Sequence, residues 1–365
     1  MCRHGRCQWT TILLALLFGW GGGVWHELAW AECTGQRTGI GTDQGLTVHL
    51  SPSCTPEERR MRAVAGSTIM EAVAKGRMVS LVGVAVQGDL VFDQLPASEP
   101  ESREGSSPVL SEKGIPSDIN KQRQVRNAVT IRDSIIAGSV RHQSTKGLLR
   151  FEDRVDFRGT VFKESVDLSR SLFHGAVDLS GAMFEKEAYF VQGQFLEGLE
   201  CRDTKFGPHT RFHRSIFRGS VDCTGVLFDG IAELLEVTFD REVSFERARF
   251  GSGTGFSGSR FKQRTRFDDA IFSRDAFFGF GVFEGETSFV GAQFLANADF
   301  SDAEFAKTDD LARVRFDRPP LFTRTKRATQ ASPSGFGDSP FTQYGLTALC
   351  LVVAALLVGY AFKLK

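Results

Sequence analysis

The chain lacks a charge excess, a dense set of cysteines, and any wealth of tyrosine or tryptophan. Lys plus Arg number 44 and Asp plus Glu number 44, so the formal net charge is zero. A nucleic-acid binder needs a basic face to displace phosphate counterions. A DNA mimic needs the opposite excess. Neither is present in bulk, so no nucleic acid is expected among the partners. Seven Cys in 365 residues are too scattered for the stapled frameworks of small secreted scaffolds. Tyr occurs 3 times and Trp 4 times, which makes 33 Phe conspicuous.

Those Phe are periodic. One stands at every eleventh position from Phe151 to Phe316, sixteen times without a miss. A second column lies six positions later and runs from Phe157 to Phe322, with Phe, Leu or Cys at each place. The two columns together hold 26 of the 33 Phe. A fixed period of this kind marks a repeat architecture.

A single helix cannot explain both columns. An eleven-residue period is close to three helical turns, but a step of six lands roughly 240° around the axis, facing elsewhere. An extended chain explains them. The positions two before each column residue are small or β-branched, as at Thr160, Ala182, Val226 and Ala248 before the first column and Val155, Val177, Ala232 and Thr265 before the second. Residues two apart on a strand point the same way. Each short side thus supplies one large and one small inward side chain. Glycines such as Gly159, Gly175, Gly219 and Gly285 fall between these units, where corners are expected.

The segments Ala182-Met183-Phe184, Ala270-Ile271-Phe272, Ala298-Asp299-Phe300 and Ala303-Glu304-Phe305 resemble the pentapeptide-repeat family, with Phe at the repeat centre. The resemblance implies an all-β fold, a right-handed quadrilateral parallel β-helix. This chain lengthens every second repeat by one, so a coil has sides of 5, 6, 5 and 6. Some members of the family mimic DNA and bind topoisomerase. The neutral charge and hydrophobic ends argue against that role here.

Both ends are hydrophobic. Residues 1–31 read as a signal peptide, with Arg3 and Arg6, an apolar stretch, and Ala29-Trp30-Ala31 as a cleavage pattern. Tyr344 to Phe362 is a nearly unbroken apolar run, followed by Lys363 and Lys365. At 1.5 Å per residue such a run crosses a hydrocarbon core of about 30 Å. It is expected to be a single C-terminal transmembrane helix (343–362), with a cytoplasmic tail (363–365). The body would then lie on the periplasmic side of a bacterial inner membrane. Between these ends the reading is an N-terminal segment with a capping helix (32–78; helix at 56–75), then irregular first coils (79–146). Those coils hold a flexible insertion at 96–124, the regular β-helix covers 147–322, and a linker covers 323–342.

Sites of chemistry are sparse. His209 and His213 are four apart, a spacing that suits a metal only on a helix. Gly251 to Gly255 lacks the Lys of a phosphate loop and reads as a corner. No catalytic, cofactor-binding or metal-binding residue is expected. Tyr189, Phe277 and Phe280 break the polar pattern of the outward positions and form a candidate partner surface. Phe277 and Phe280 could equally pack on each other. Cys33 and Cys54 either pair in an oxidising compartment or are unrelated thiols. Cys201 and Cys223, one coil apart in a single column, should stack on adjacent coils. The expected role is a membrane-anchored, non-catalytic protein-binding or scaffold module, with a protein partner or a second copy. The alternatives are a carbohydrate-active β-helix enzyme and a binder of envelope polymer.

Overall fold

A computed structural model describes residues 33–38, 45–99, 121–143, 147–307, 309–311 and 313–328. The expected signal peptide, the transmembrane run, the tail, and most of the linker and insertion lie outside these residues. Among the described residues no helix is long and apolar enough to cross a membrane.

The chain winds into a parallel β-solenoid of about eleven turns with four sides, whose sheets hold 12, 11, 9 and 11 strands. We number the sides 1 to 4 in the order the chain visits them. In the regular body a coil passes through Val155–Asp156 on face 1, Val161–Phe162 on face 2, Val166–Asp167 on face 3 and Ser171–Phe173 on face 4. Phe162 lies against Phe184 and Val177 against Leu199, each pair separated by 22 in sequence. The 5-6-5-6 count is therefore the true coil.

This register splits the two Phe columns into four internal ladders. Faces 2 and 4 carry unbroken Phe stacks. Phe250 lies 4.7 Å from Phe272 with rings 3° apart, and Phe283 lies 4.6 Å from Phe305 at 3°. Faces 1 and 3 mix Phe with Leu and Cys. Their rings meet the unbroken stacks tilted or edge-on, as Phe212 meets Phe206 at 89°. Edge-on and offset contacts of this kind add about 0.5–1.5 kcal/mol per pair beyond area burial. The small partners are buried as well. Thr160, Thr204, Ser215 and Ser259 each donate a hydroxyl to a carbonyl of the preceding coil at 2.6–2.8 Å, so their polar atoms are satisfied.

Two of the four corners share a turn. Between faces 1 and 2, and again between faces 3 and 4, one residue has positive φ. The series runs Gly159, Arg170, Gly181, Gln192, Asp203, Arg214, Gly225, Glu236, Arg247, Gly258, Asp269, Phe280, Gly291 and Asp302. In such a turn the next residue donates its amide to the carbonyl three back, as Ala248 does to Phe245 at 3.1 Å. This is a type II turn, which favours Gly at the strained place. Most coils here use Arg, Asp, Gln, Glu or Phe instead. Gly175, Gly219 and Gly285 have a different cause. They sit at the corner after face 4, where a Cβ on Gly219 would meet the Glu197 carbonyl at 1.9 Å.

The early coils differ from the sequence expectation in three ways. First, pairing starts before residue 79: Leu46–Leu50 lies parallel to Val79–Val82, and Val64–Ala65 pairs with Val86 and Gln87. Second, the single helix expected at 56–75 is two, α1 (Pro56–Met61) and α2 (Gly66–Ala74). Thr55 and Glu58 form a reciprocal capping box on α1. Val64 separates the helices because its buried ladder pairing outweighs its modest helix preference. Third, the irregularities share one corner. Val140 pairs with Leu90 behind it and with Val166 ahead, and both steps are longer than a regular coil. Both surpluses leave between faces 3 and 4. The longer one starts and returns as an antiparallel pair, Ala97–Ser98 against Gln122–Arg123.

Two substitutions separate the ring ladder from the turns. Phe250 touches the rings of Phe228, Phe245, Phe256 and Phe272. Phe250→Ala leaves a cavity among them and should lower unfolding free energy by about 3–5 kcal/mol in urea titrations. Arg247→Gly, which relieves positive φ at an exposed corner, should raise it by about 0.5–1 kcal/mol. An Arg247→Gly chain less stable than the parent would contradict the turn assignment.

Candidate interaction surface

The rod's interior is filled by its own side chains. A void of about 10 Å³, lined by Val155, Phe157, Phe162 and neighbours, is the space of a single water at most. A binding site therefore belongs on the outward positions.

At several places on that surface, opposite charges meet from coil to coil. Arg214 pairs with Glu236 at 2.8 Å, Lys262 with Asp240 at 2.8 Å, Arg260 with Glu284 at 2.7 Å and Arg324 with Asp302 at 2.5 Å. Exposed pairs contribute little each, about 0–1 kcal/mol. Their consequence is that stacked charges are neutralised locally, in keeping with the zero net charge.

Face 1 departs from this. Asp156, Asp178, Glu200 and Asp222 stack in register on four successive coils. Like charges directly opposite are unfavourable. Arginines on the flanks compensate. Arg154 and Arg158 both reach Asp156 at 2.8 and 2.6 Å, Arg158 also faces Asp178 at 3.3 Å, and Arg202 reaches Asp222 at 2.7 Å. Burial opposes ionisation of Asp156, but the Arg158 bonds outweigh it and hold its carboxyl below the usual range. Burial pushes the Glu200 carboxyl up, only partly relieved by Arg202.

Face 3 carries the three aromatic positions singled out above, and separates them. Tyr189 lies four coils before Phe277 in the same outward column. The Arg211 guanidinium covers its ring at 5.3 Å and His209 meets it edge-on at 5.7 Å. Burial raises the phenol's pKa, against the pull of Arg211. Phe277 and Phe280 stay together on one coil, 44% and 66% exposed, with no ring contact between them. Ile231 and Leu321 are also exposed on this face, at 46% and 52%. Sequence reading missed both, although an apolar residue out of phase with the inward columns was the available signal.

His209 and His213 each meet another side chain. Arg211 donates to His209 Nε2 at 3.1 Å, and His213 faces Glu236 at 4.0 Å. Among the described residues no group of three His, Cys, Asp or Glu is placed to hold a metal ion. Gly207, Pro208, Gly230 and Ser252 leave a notch of about 690 Å³ at the corner between faces 2 and 3, edged by Lys205 and Asp229 in an ion pair. Cys33 and Cys54 are bonded in the structure with Cα atoms 4.5 Å apart. Cys201 and Cys223 stack at the same Cα separation, 4.5 Å, inside the face 1 ladder.

The repeat geometry has a counterpart among known proteins. The family model for pentapeptide repeats (9 copies) matches residues 224–271 and 234–281. Residues 224–281 thus carry pentapeptide repeats, consistent with a pentapeptide-repeat protein. Within the matched residues every inward column position except Leu234 is Phe. No curated protein and no solved structure matches the chain.

The Asp156 geometry gives a pH-dependent expectation. A carboxyl held below its unfolded value near pH 4 contributes stability that is present above that value and is lost as pH falls through the folded one. Asp156→Asn should therefore cost about 1–3 kcal/mol at pH 7, as expected for charged hydrogen bonds, and progressively less towards pH 3. Urea unfolding across this range reads the difference. An equal loss at both ends would show that Asp156 acts by packing alone.

Proposed function

We propose that this pentapeptide-repeat solenoid is a non-catalytic scaffold, anchored by its C-terminal apolar run and held on the extracytoplasmic side of a bacterial inner membrane. The observation that carries the scaffold reading is the unbroken register from Phe151 onward. With no coil interrupted among the described residues, no loop emerges from their regular body to build a cleft, while four extended faces remain for a protein partner. The sequence of residues 1–31 and 344–362 supplies the location.

In this reading α2 closes the N-terminal end. Ile69, Met70, Ala72 and Val73 are buried on it, and solenoid ends need such cover. The other end is less covered among the described residues. Val314, Phe316 and Phe322 are only partly buried there, and a second copy or the membrane vicinity would shield them.

Photo-crosslinking in cells, with the reactive group placed in turn on each face of the full chain, tests the proposal. The scaffold reading expects discrete adducts to a protein from at least one face. Self-adducts confined to residues near Phe316 would make the partner a second copy. Absence of adducts from all four faces would overturn the scaffold reading.

A further inference from the structure

Four of the exposed apolar side chains collect in one region of the rod. Phe277, Phe280, Leu295 and Leu321 all lie on face 3 or its two corners, within the last four coils. Phe280 is the sharpest case. It is 66% exposed and holds φ at 57°, a conformation that is costly for a bulky residue. The residues at the same corner one coil away are Gly258 and Asp302, so the fold does not require an aromatic there. Exposure and strain at one Phe, with no gain in packing, point to use outside the rod.

Two further observations say what covers it. The first is charge. The chain as a whole is neutral, yet residues 302–328 carry seven Lys or Arg against four Asp and one Glu, with Arg324 and Lys326 paired to Asp302 and Glu304. The second is reach. The described chain ends at 328, and only positions 329–343 separate it from the apolar run at 344. Fully extended, they span at most about 50 Å. Phe277 and Phe280 lie within about three coils, roughly 15 Å, of the start of that tether. A bilayer anchored by the run is therefore always within reach of this patch, at high effective concentration.

We propose that the C-terminal half of face 3 rests on the lipid surface, with Phe277 and Phe280 at headgroup depth and the basic last coil against anionic lipid. This rests on the membrane-anchored reading above. The outward column of face 3 runs Asp167, Tyr189, Arg211 and Glu233 in its N-terminal half, which stands off the bilayer, and Gly255, Phe277, Asp299 and Leu321 in its C-terminal half, where Asp299 is the one carboxylate among the apolar side chains. Face 1, on the opposite side, is left open to the aqueous phase and carries the carboxylate column.

The test uses the full chain in vesicles of phosphatidylethanolamine and phosphatidylglycerol brominated near the headgroup end of the acyl chains. Native Trp occurs only at positions 9, 20, 25 and 30, so a new Trp is read as the difference from the parent. Phe280→Trp should emit at short wavelength and lose most of that emission to bromine. Ser244→Trp, on face 1, should emit as water-exposed Trp and keep its intensity. Flotation of the same samples reports anchoring. A chain that fails to float overturns the anchor, and this proposal with it. A Phe280→Trp chain that floats with the added indole unquenched overturns this proposal alone, and blue-shifted but unquenched emission would assign the patch to a contact within or between copies of this chain.

Discussion

Everything in this solenoid depends on stacking in strict register. Each side chain sits on its counterpart one coil away, in the same direction, coil after coil. Inside, that rule favours repetition: a ring over a ring buries both and leaves no gap. It also fixes what stands beside the ring. At Gly193 an added Cβ would come within 3.2 Å of the Phe195 ring and 2.9 Å of the Phe190 carbonyl. Outside, the same rule penalises repetition, because identical charges would face each other. The Arg214–Glu236 and Arg260–Glu284 pairs are the outcome. A Phe-repetitive interior and opposite charges paired across coils outside are one constraint seen from two sides.

The corners show how far the ladders can override local preference. Positive φ costs a non-Gly residue about 1–2 kcal/mol. It nevertheless recurs at Arg170, Gln192, Asp203, Arg214, Glu236, Arg247 and Asp269. Each strained residue lies between two paired strands whose buried rings hold the chain on both sides. The conformation is set by flanking pairing, not by the residue that adopts it. This also explains why Phe280 is tolerated, though not why it was chosen.

The parts legible in the sequence were those the register repeats. The Phe columns, the small residue two before them and the four-sided coil follow from spacing and from the family resemblance it suggested. The corners with positive φ were hidden, because Arg, Asp and Glu stand where glycine would have announced the turn. Gly219 does stand at a corner, as its spacing suggested, but for a close backbone approach and not for a positive φ. The early coils were harder still. Val64 lies in a stretch of good helix formers and becomes a strand only because Val86 is there to pair with it. Asp93 and His142 are far apart in sequence and meet at 3.1 Å across the corner where both irregular segments leave. No local pattern could join them. On the candidate surface, Phe277 and Phe280 were visible as aromatics between inward positions, while their isolation from Tyr189 needed the coil count.

A repeat that serves its own packing carries no functional information at its repeated positions. Whatever distinguishes this rod from a uniform one lies where the rule is broken at a cost. Three breaks stand out among the described residues. Carboxylates stack on face 1 against mutual repulsion and are held by arginines from the flanks. Asp93 and His142 close the corner that carries the two irregular segments. Apolar side chains face water at the C-terminal end of face 3. The first two are compensated within the chain by ion pairs and hydrogen bonds. The third is not, since neither Phe277 nor Phe280 gains a ring partner for its exposure. Uncompensated cost is the physical argument for assigning the outside contact to face 3 in preference to the other breaks.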